Sequence, residues 1–192
     1  MGERRYSGLM GVALALTLAW IGWTIYDSVV VERTPGDRAY LTGNTYFEDG
    51  HYEEALREYQ QALEHNPAHL FALRGEARSL MQLGHKEQAL ALFDQAIARE
   101  PGFAPSYANR GILRDRLGDY RGAIADYEAA LHLDPELADG PGWLTRFLRN
   151  QAQRPATIAD RARYLRAELA KPAAQRVLRR PKEDSRQRPY RL

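Results

Sequence analysis

Small and aromatic residues return at a fixed spacing of 34 positions between residues 36 and 137. The three copies have Gly43, Ala55, Tyr59, Ala62 and Pro67, then Ala77, Ala89, Phe93, Ala96 and Pro101, then Gly111, Ala123, Tyr127, Ala130 and Pro135. The spacing i, i+4, i+7 of Ala55, Tyr59 and Ala62 places them on one face of a helix. The pattern predicts two helices per copy, because a glycine at 50, 84 or 118 ends the first and the proline ends the second.

A single copy cannot bury both of its apolar faces, so the three copies are expected to stack. The predicted fold is all-α, a right-handed solenoid of helical hairpins with repeats over residues 36–69, 70–103 and 104–137. Capping and C-terminal helices are predicted over residues 138–180, and a basic extended tail over 181–192.

Within the segment after the repeats, Trp143 and Phe147 are predicted to cover the last apolar face of the solenoid. A helix is predicted over residues 155–170, starting at Thr157. A last short helix is predicted over residues 172–180.

An uncharged stretch over residues 9–26 would reach about 27 Å as a helix, which is close to the hydrocarbon thickness of a bilayer. It predicts one transmembrane signal anchor, with residues 1–8 in the cytoplasm and residues 27–35 as a linker. Arg4 and Arg5 precede the span, which places the repeats on the periplasmic side of the cytoplasmic (inner) membrane. The alternative is a cleaved secretory signal.

Two features flank or line the predicted anchor. Thr34 and Pro35 after it predict the start of the first repeat helix, as N-cap and first helical residue. One stripe of small residues along the span would let it pack closely on another membrane helix. The stripe consists of Ser7, Gly11, Ala15 and Ala19.

The net charge of +2 is unevenly distributed. Residues 34–140 have ten basic and eighteen acidic side chains, whereas residues 141–192 have fourteen basic and four acidic ones. The basic tail is therefore expected to dock on lipid, on a partner or on the repeats themselves. Its basic residues are Arg176, Arg179, Arg180, Lys182, Arg186, Arg188 and Arg191. Nucleic acid is not an expected partner, because no recognition motif accompanies this charge.

No group of residues has the spacing of a catalytic site, and the chain is predicted to be no enzyme and to bind no cofactor, metal or small-molecule substrate. The absence of cysteine excludes disulfides and thiolate metal sites. His65 and His69 are four residues apart, but Pro67 lies between them. A solvated pair in a turn is expected there rather than a metal site.

The period of 34 with its small, aromatic and proline positions resembles the tetratricopeptide repeat (TPR) family. The resemblance implies that the first helix of each repeat lines a concave groove, which would bind a peptide or helix of a partner protein. The groove residues it implies are Tyr40, Asn44, Phe47, Phe71, Arg74, Arg78, Met81, Ile112, Asp115 and Arg116.

Within this groove, the aromatic residues and Met81 are expected to be apolar anchors, with intramolecular packing as the alternative. Arg74 and Arg78 are expected to hold a carboxylate or a carbonyl. The family's chaperone-tail binders grip a C-terminal carboxylate with lysine and asparagine. Asn44 matches one of those positions, but Tyr40 replaces a lysine and Gly75 replaces an asparagine, so that clamp is not expected.

Two functions agree with this layout. The first is a membrane-anchored scaffold or chaperone that assembles an envelope or respiratory membrane complex through protein contacts and membrane lipid. The second is a permanent accessory subunit of a membrane complex, held by its transmembrane helix and basic tail.

Overall fold

The computed structural model describes residues 3–25, 34–140, 142–148, 150, 154–181 and 189–190, with a few side chains inside helices left out. The chain divides into two compact units, one over residues 1–35 and the other over residues 36–192. The first contains helix α1, Glu3–Ile25.

Three helical hairpins form the larger unit. Their helices are α2 (Asp37–Glu48) and α3 (Tyr52–His65), α4 (Leu70–Leu83) and α5 (Lys86–Arg99), and α6 (Ala104–Leu117) and α7 (Tyr120–Leu133). Gly50, Gly84 and Gly118 have φ angles of 84°, 87° and 86°, in the left-handed region that favours glycine. Each second helix ends two residues before its proline. The predicted all-α hairpin repeats are confirmed.

The first repeat helix starts differently from the prediction. Its N-cap is Gly36, in the left-handed conformation, and Asp37 is the first helical residue. A Cβ on Gly36 would lie 2.5 Å from the carbonyl oxygen of Ala62. Close packing against α3 therefore sets the helix start at a glycine, and the predicted N-cap Thr34 lies outside it.

Tyr59, Phe93 and Tyr127 are fully buried and fill the space between neighbouring helices. The Tyr59 ring lies between two glycines, since a Cβ on Gly43 or Gly75 would approach it to 2.8 Å or 2.5 Å. Gly75 belongs to the second repeat, so this ring joins the first two repeats. Its hydroxyl donates a hydrogen bond of 2.7 Å to Asn44 Oδ1, and burial raises its pKa.

Gly75→Ala is expected to lower the free energy of unfolding by about 1–3 kcal/mol, because the added methyl group overlaps the Tyr59 ring. Urea denaturation followed by circular dichroism measures the change. Gly102→Ala is the matched control, since no atom lies within 4 Å of a Cβ there. Equal stability of the two variants would contradict this account of the packing.

The last repeat is covered by a later helix than predicted. Trp143 and Phe147 lie on the six-residue helix α8 (Trp143–Leu148) and are 72% and 75% exposed, so their predicted capping role is wrong. Helix α9 (Ile158–Leu169) packs on α7 instead. Ile158, Ala162 and Leu165 are buried in the main core cluster. Their spacing i, i+4, i+7 gives α9 the continuous apolar stripe that α8 is too short to provide.

The predicted start of α9 is confirmed. Thr157 is its N-cap and forms a capping box with Asp160. The amide hydrogen bond from Thr157 is the main reason that the pKa of Asp160 is lowered.

The segment after α9 has less helix than predicted. Only Ala173–Gln175 forms a 3₁₀ turn within residues 172–180. The chain then runs along α9, where Tyr164 donates to the Val177 carbonyl at 2.5 Å and the Val177 N–H donates to Glu168 at 2.9 Å. Bonds to α9 side chains replace the helical bonds expected there.

None of the helices in the described part of the chain is both long enough and apolar enough to cross a bilayer. The predicted transmembrane anchor is unsupported. The predicted single-pass location in the cytoplasmic membrane, with periplasmic repeats, is wrong.

Other membrane predictions depended on that anchor. Gly11, Ala15 and Ala19 lie on α1, whereas the side chain of Ser7 and residues 27–33 of the linker are outside the described residues. Membrane lipid as a partner, and both predicted roles in a membrane complex, lose their support with the anchor.

Candidate functional site

The first helices of the three hairpins, α2, α4 and α6, lie side by side. We call the surface that they line, together with α9, the first-helix face. All ten predicted groove residues belong to α2, α4 or α6. Their exposure differs, because some point into the core and others line the surface.

An aromatic row crosses one end of the first-helix face. The ring centroid of Phe71 lies 6.1 Å from that of Tyr40 and 6.1 Å from that of Phe103. Phe71 is 44% exposed, so one side of the row is open to a partner. Exposed aromatic rings held by neighbouring rings are typical anchors of protein interfaces.

Arg74 lies beneath this row and is fully buried. Its guanidinium carbon is 3.8 Å from the centroid of Phe103, Nε donates to Ser106 Oγ at 3.1 Å, and Nη2 donates to Glu100 at 2.5 Å. Nη1 is buried without a hydrogen-bond partner among the described residues. A partner carboxylate could reach this cation only after the covering rings had moved.

Further along α4, Arg78 is also enclosed. Its guanidinium carbon lies 4.0 Å from the centroid of the buried Phe47 ring. Met81 and Ile112 belong to the main core cluster. Their predicted role in contacting a partner stays a prediction, and in the structure both side chains pack within the core.

The opposite end of the first-helix face is polar. Arg116 donates to Gln82 at 3.3 Å, which joins α6 to α4, and burial lowers the pKa of Arg116. The buried Asp115 accepts two hydrogen bonds from Arg161 of α9, at 2.6 and 2.8 Å, and one from the Tyr127 hydroxyl at 3.3 Å. This paired charge holds α9 against the third repeat.

Asn109, which the sequence analysis missed, binds the chain's own C-terminal segment. Its Nδ2 donates to the Tyr190 carbonyl at 3.2 Å, and the Tyr190 N–H donates to its Oδ1 at 2.7 Å. Burial raises the pKa of Tyr190. Ile112 and Arg116 are three and seven residues after Asn109, so all three lie on one side of α6. This spacing could have shown that Asn109 lies beside the predicted groove residues. No sequence pattern links it to a residue 81 positions away.

Three of the predicted basic tail residues are described. Arg176 Nε donates to the Lys171 carbonyl at 2.9 Å, and the Arg180 guanidinium lies 4.9 Å from the centroid of the Tyr164 ring. Arg179 is exposed. Lys182, Arg186, Arg188 and Arg191 lie outside the described residues.

His69 has a structural role that differs from the predicted solvated turn. It is buried, its Nδ1 accepts from the Ala72 N–H at 3.2 Å, and its Nε2 lies 2.9 Å from Asp37 Oδ1. Because Nδ1 is an acceptor, Nε2 carries the proton and donates to Asp37. No cluster of three or more metal-ligating side chains occurs among the residues with described positions.

Comparison with known families identifies the hairpins. The family models described as Tetratricopeptide repeat match residues 46–109 and 104–137. The chain contains tetratricopeptide repeats. Repeats of this kind form protein-interaction scaffolds, and the first-helix face is the surface that the predicted groove positions occupy.

The similar proteins agree with this assignment. RNA polymerase II-associated protein 3 of Xenopus tropicalis is 37% identical over 92 residues, which are 48% of this chain and 14% of that protein. The chain thus matches about a seventh of that relative. A structure of the first TPR of Spaghetti (RPAP3) bound to the HSP90 peptide SRMEEVD shares the fold, with a TM-score of 0.57 at 22% identity, and covers 74% of this chain and 99% of that one.

A second structure has higher identity. It is the second TPR of Spaghetti (RPAP3) bound to the same HSP90 peptide, 26% identical with a TM-score of 0.50. The match covers 53% of this chain and 94% of that one.

Proposed function

We propose that this TPR protein is a non-enzymatic adaptor whose first-helix face binds an extended segment of a partner protein. The open aromatic row of Tyr40, Phe71 and Phe103 is the observation that carries the proposal. A partner side chain that covers Phe71 would bury apolar surface that the chain leaves in water.

Two further observations support a peptide ligand. Asn109 already pairs with both main-chain groups of one residue, so the face can satisfy an extended backbone. The second TPR of Spaghetti, a similar structure, holds the seven-residue peptide SRMEEVD. That peptide is a suitable first probe of contacts through its main chain and its Met side chain, which suits an aromatic surface, rather than through the terminal-carboxylate clamp, two of whose positions are occupied here by Tyr40 and Gly75.

Phe71→Ala is expected to weaken binding of fluorescein-labelled SRMEEVD by about tenfold or more, as removal of an aromatic anchor does at an interface. Fluorescence anisotropy of the full chain measures the dissociation constant. Leu133→Ala is the control, because Leu133 is 41% exposed but lies on the second helix of its hairpin.

The proposal is contradicted if the wild-type chain does not bind the peptide, or if Phe71→Ala and Leu133→Ala bind it equally well. Denaturation midpoints of both variants establish that each is folded under the binding conditions.

A further inference from the structure

We propose that residues 189–190 occupy the first-helix face at Asn109 in cis and compete there with the partner segment. The competition rests on the proposed function, because it requires a partner segment on the same face. The occupant itself is a described part of this chain.

Asn109 hydrogen-bonds to the main chain of Tyr190 rather than to its side chain. Two hydrogen bonds join the Asn109 carboxamide to the N–H and carbonyl groups of Tyr190. A carboxamide that donates and accepts in this way suits an extended residue of any type except proline, which has no N–H. Asn109 therefore recognises main-chain N–H and carbonyl groups rather than a particular side chain. A partner segment can present the same main-chain groups.

The Tyr190 side chain adds a second contact. Its ring packs on the main core cluster, its hydroxyl donates to the Leu137 carbonyl at 3.4 Å, and the Ile158 N–H donates to it at 3.5 Å. Both distances are long for hydrogen bonds. The ring and the backbone pairing, rather than the hydroxyl, are expected to hold the segment.

The cis contact lies on the path of a partner segment. Ser106, which accepts the hydrogen bond from Arg74 beneath the aromatic row, is one helical turn before Asn109 on α6. Side chains at i and i+3 are about 5–6 Å apart, and an extended chain advances about 3.3 Å per residue. A segment anchored at Phe71 thus reaches Asn109 within a few residues.

Charge and tether length favour the cis occupant. Residues 182–192 have four basic and two acidic side chains, whereas residues 34–140 have an excess of eight acidic ones. A tether of seven residues, 182–188, separates Pro181 from Pro189. Because residues 189–190 belong to the same chain as Asn109, their contact is intramolecular, so a weak contact in cis can compete with a partner.

Tyr190→Pro tests the competition in the full chain, because it removes both the N–H that donates to Asn109 Oδ1 and the half-buried ring. We expect it to bind fluorescein-labelled SRMEEVD about tenfold more tightly than wild type. Tyr190→Phe is the matched control and should bind as wild type does, since it keeps the ring and the backbone bonds. Equal affinities of Tyr190→Pro and wild type would overturn the competition and leave the proposed function intact.

A peptide of residues 182–192, KEDSRQRPYRL, tests the occupancy without a partner. Labelled and added to the Tyr190→Pro chain, it should bind, and adding Asn109→Ala to that chain should weaken binding at least tenfold. SRMEEVD should displace it. If the labelled peptide of residues 182–192 does not bind, or if Asn109→Ala leaves its binding unchanged, the proposed cis site is overturned even where SRMEEVD binds. If SRMEEVD does not bind at all, the proposed function fails, and this peptide still decides the occupancy.

Discussion

Asp115→Ala is expected to lower the free energy of unfolding by about 3–5 kcal/mol, because it leaves Arg161 buried without its carboxylate. The two side chains are almost completely buried and share two short hydrogen bonds between α6 and α9. The variant also removes the acceptor of the Tyr127 hydroxyl. Chemical denaturation monitored by circular dichroism measures the loss.

Two further variants test whether the loss of stability comes from leaving a charged side chain buried without its partner. Arg163→Ala removes an exposed partner of Asp160 and should change stability by less than about 1 kcal/mol. The double variant Asp115→Leu/Arg161→Met should recover most of the loss, since apolar residues of similar size often replace a buried ion pair without penalty. An Asp115→Ala chain as stable as Arg163→Ala would show that the pair does not hold α9 in place.

Tyr59→Ala is expected to lower the free energy of unfolding by about 3–5 kcal/mol, the usual range for removing a large buried aromatic side chain. The loss should lie near the top of that range because Gly43 and Gly75, which flank the ring, have no side chains that could fill the cavity. Repeat arrays gain much of their stability from contacts between neighbours. The first hairpin should therefore unfold at lower urea concentration than the rest.

Tyr46→Ala is the control for this prediction, because Tyr46 lies on the same helix pair but is 37% exposed. Gly75→Ala provides a coupling test: once the Tyr59 ring is absent, the added methyl group should cost little or even stabilise. Strictly additive effects of Tyr59→Ala and Gly75→Ala would contradict the proposed contact between these two positions.

The repeat helices could be predicted because their determinants are local. Ala55, Tyr59 and Ala62 define a helix face within two turns, and Gly84 ends α4 in the left-handed conformation that glycine adopts readily. The start of the first repeat helix was missed. Gly36 is required by contact with Ala62, which is distant in sequence, and no nearby pattern shows that contact.

The capping helix shows the same distinction. Both Trp143 and Ile158 lie in apolar patterns after the repeats, and hydrophobicity alone favoured the tryptophan. Burial depends on length and placement, since α8 has six residues whereas α9 has twelve and packs on α7. The membrane prediction used apolar composition in a similar way, and no spanning helix occurs in the described part of the chain.

The candidate site was predicted at the level of helices and only partly at the level of side chains. Phe71 has the open position expected of an anchor, whereas Arg74, expected to be available to a partner, is enclosed by Phe103 and paired with Glu100. A helical register shows which side of a helix a residue lies on. It does not show which neighbouring ring or carboxylate will cover that residue.

The sequence by itself determined the period, the hairpins and their turns, because glycine, proline and apolar spacing act within one or two helical turns. The tertiary structure alone decided which cations are buried, which helix covers the last repeat, and that Asn109 holds the main chain of Tyr190. These features depend on contacts between residues far apart in the chain. Their geometry exists only once the repeats have stacked.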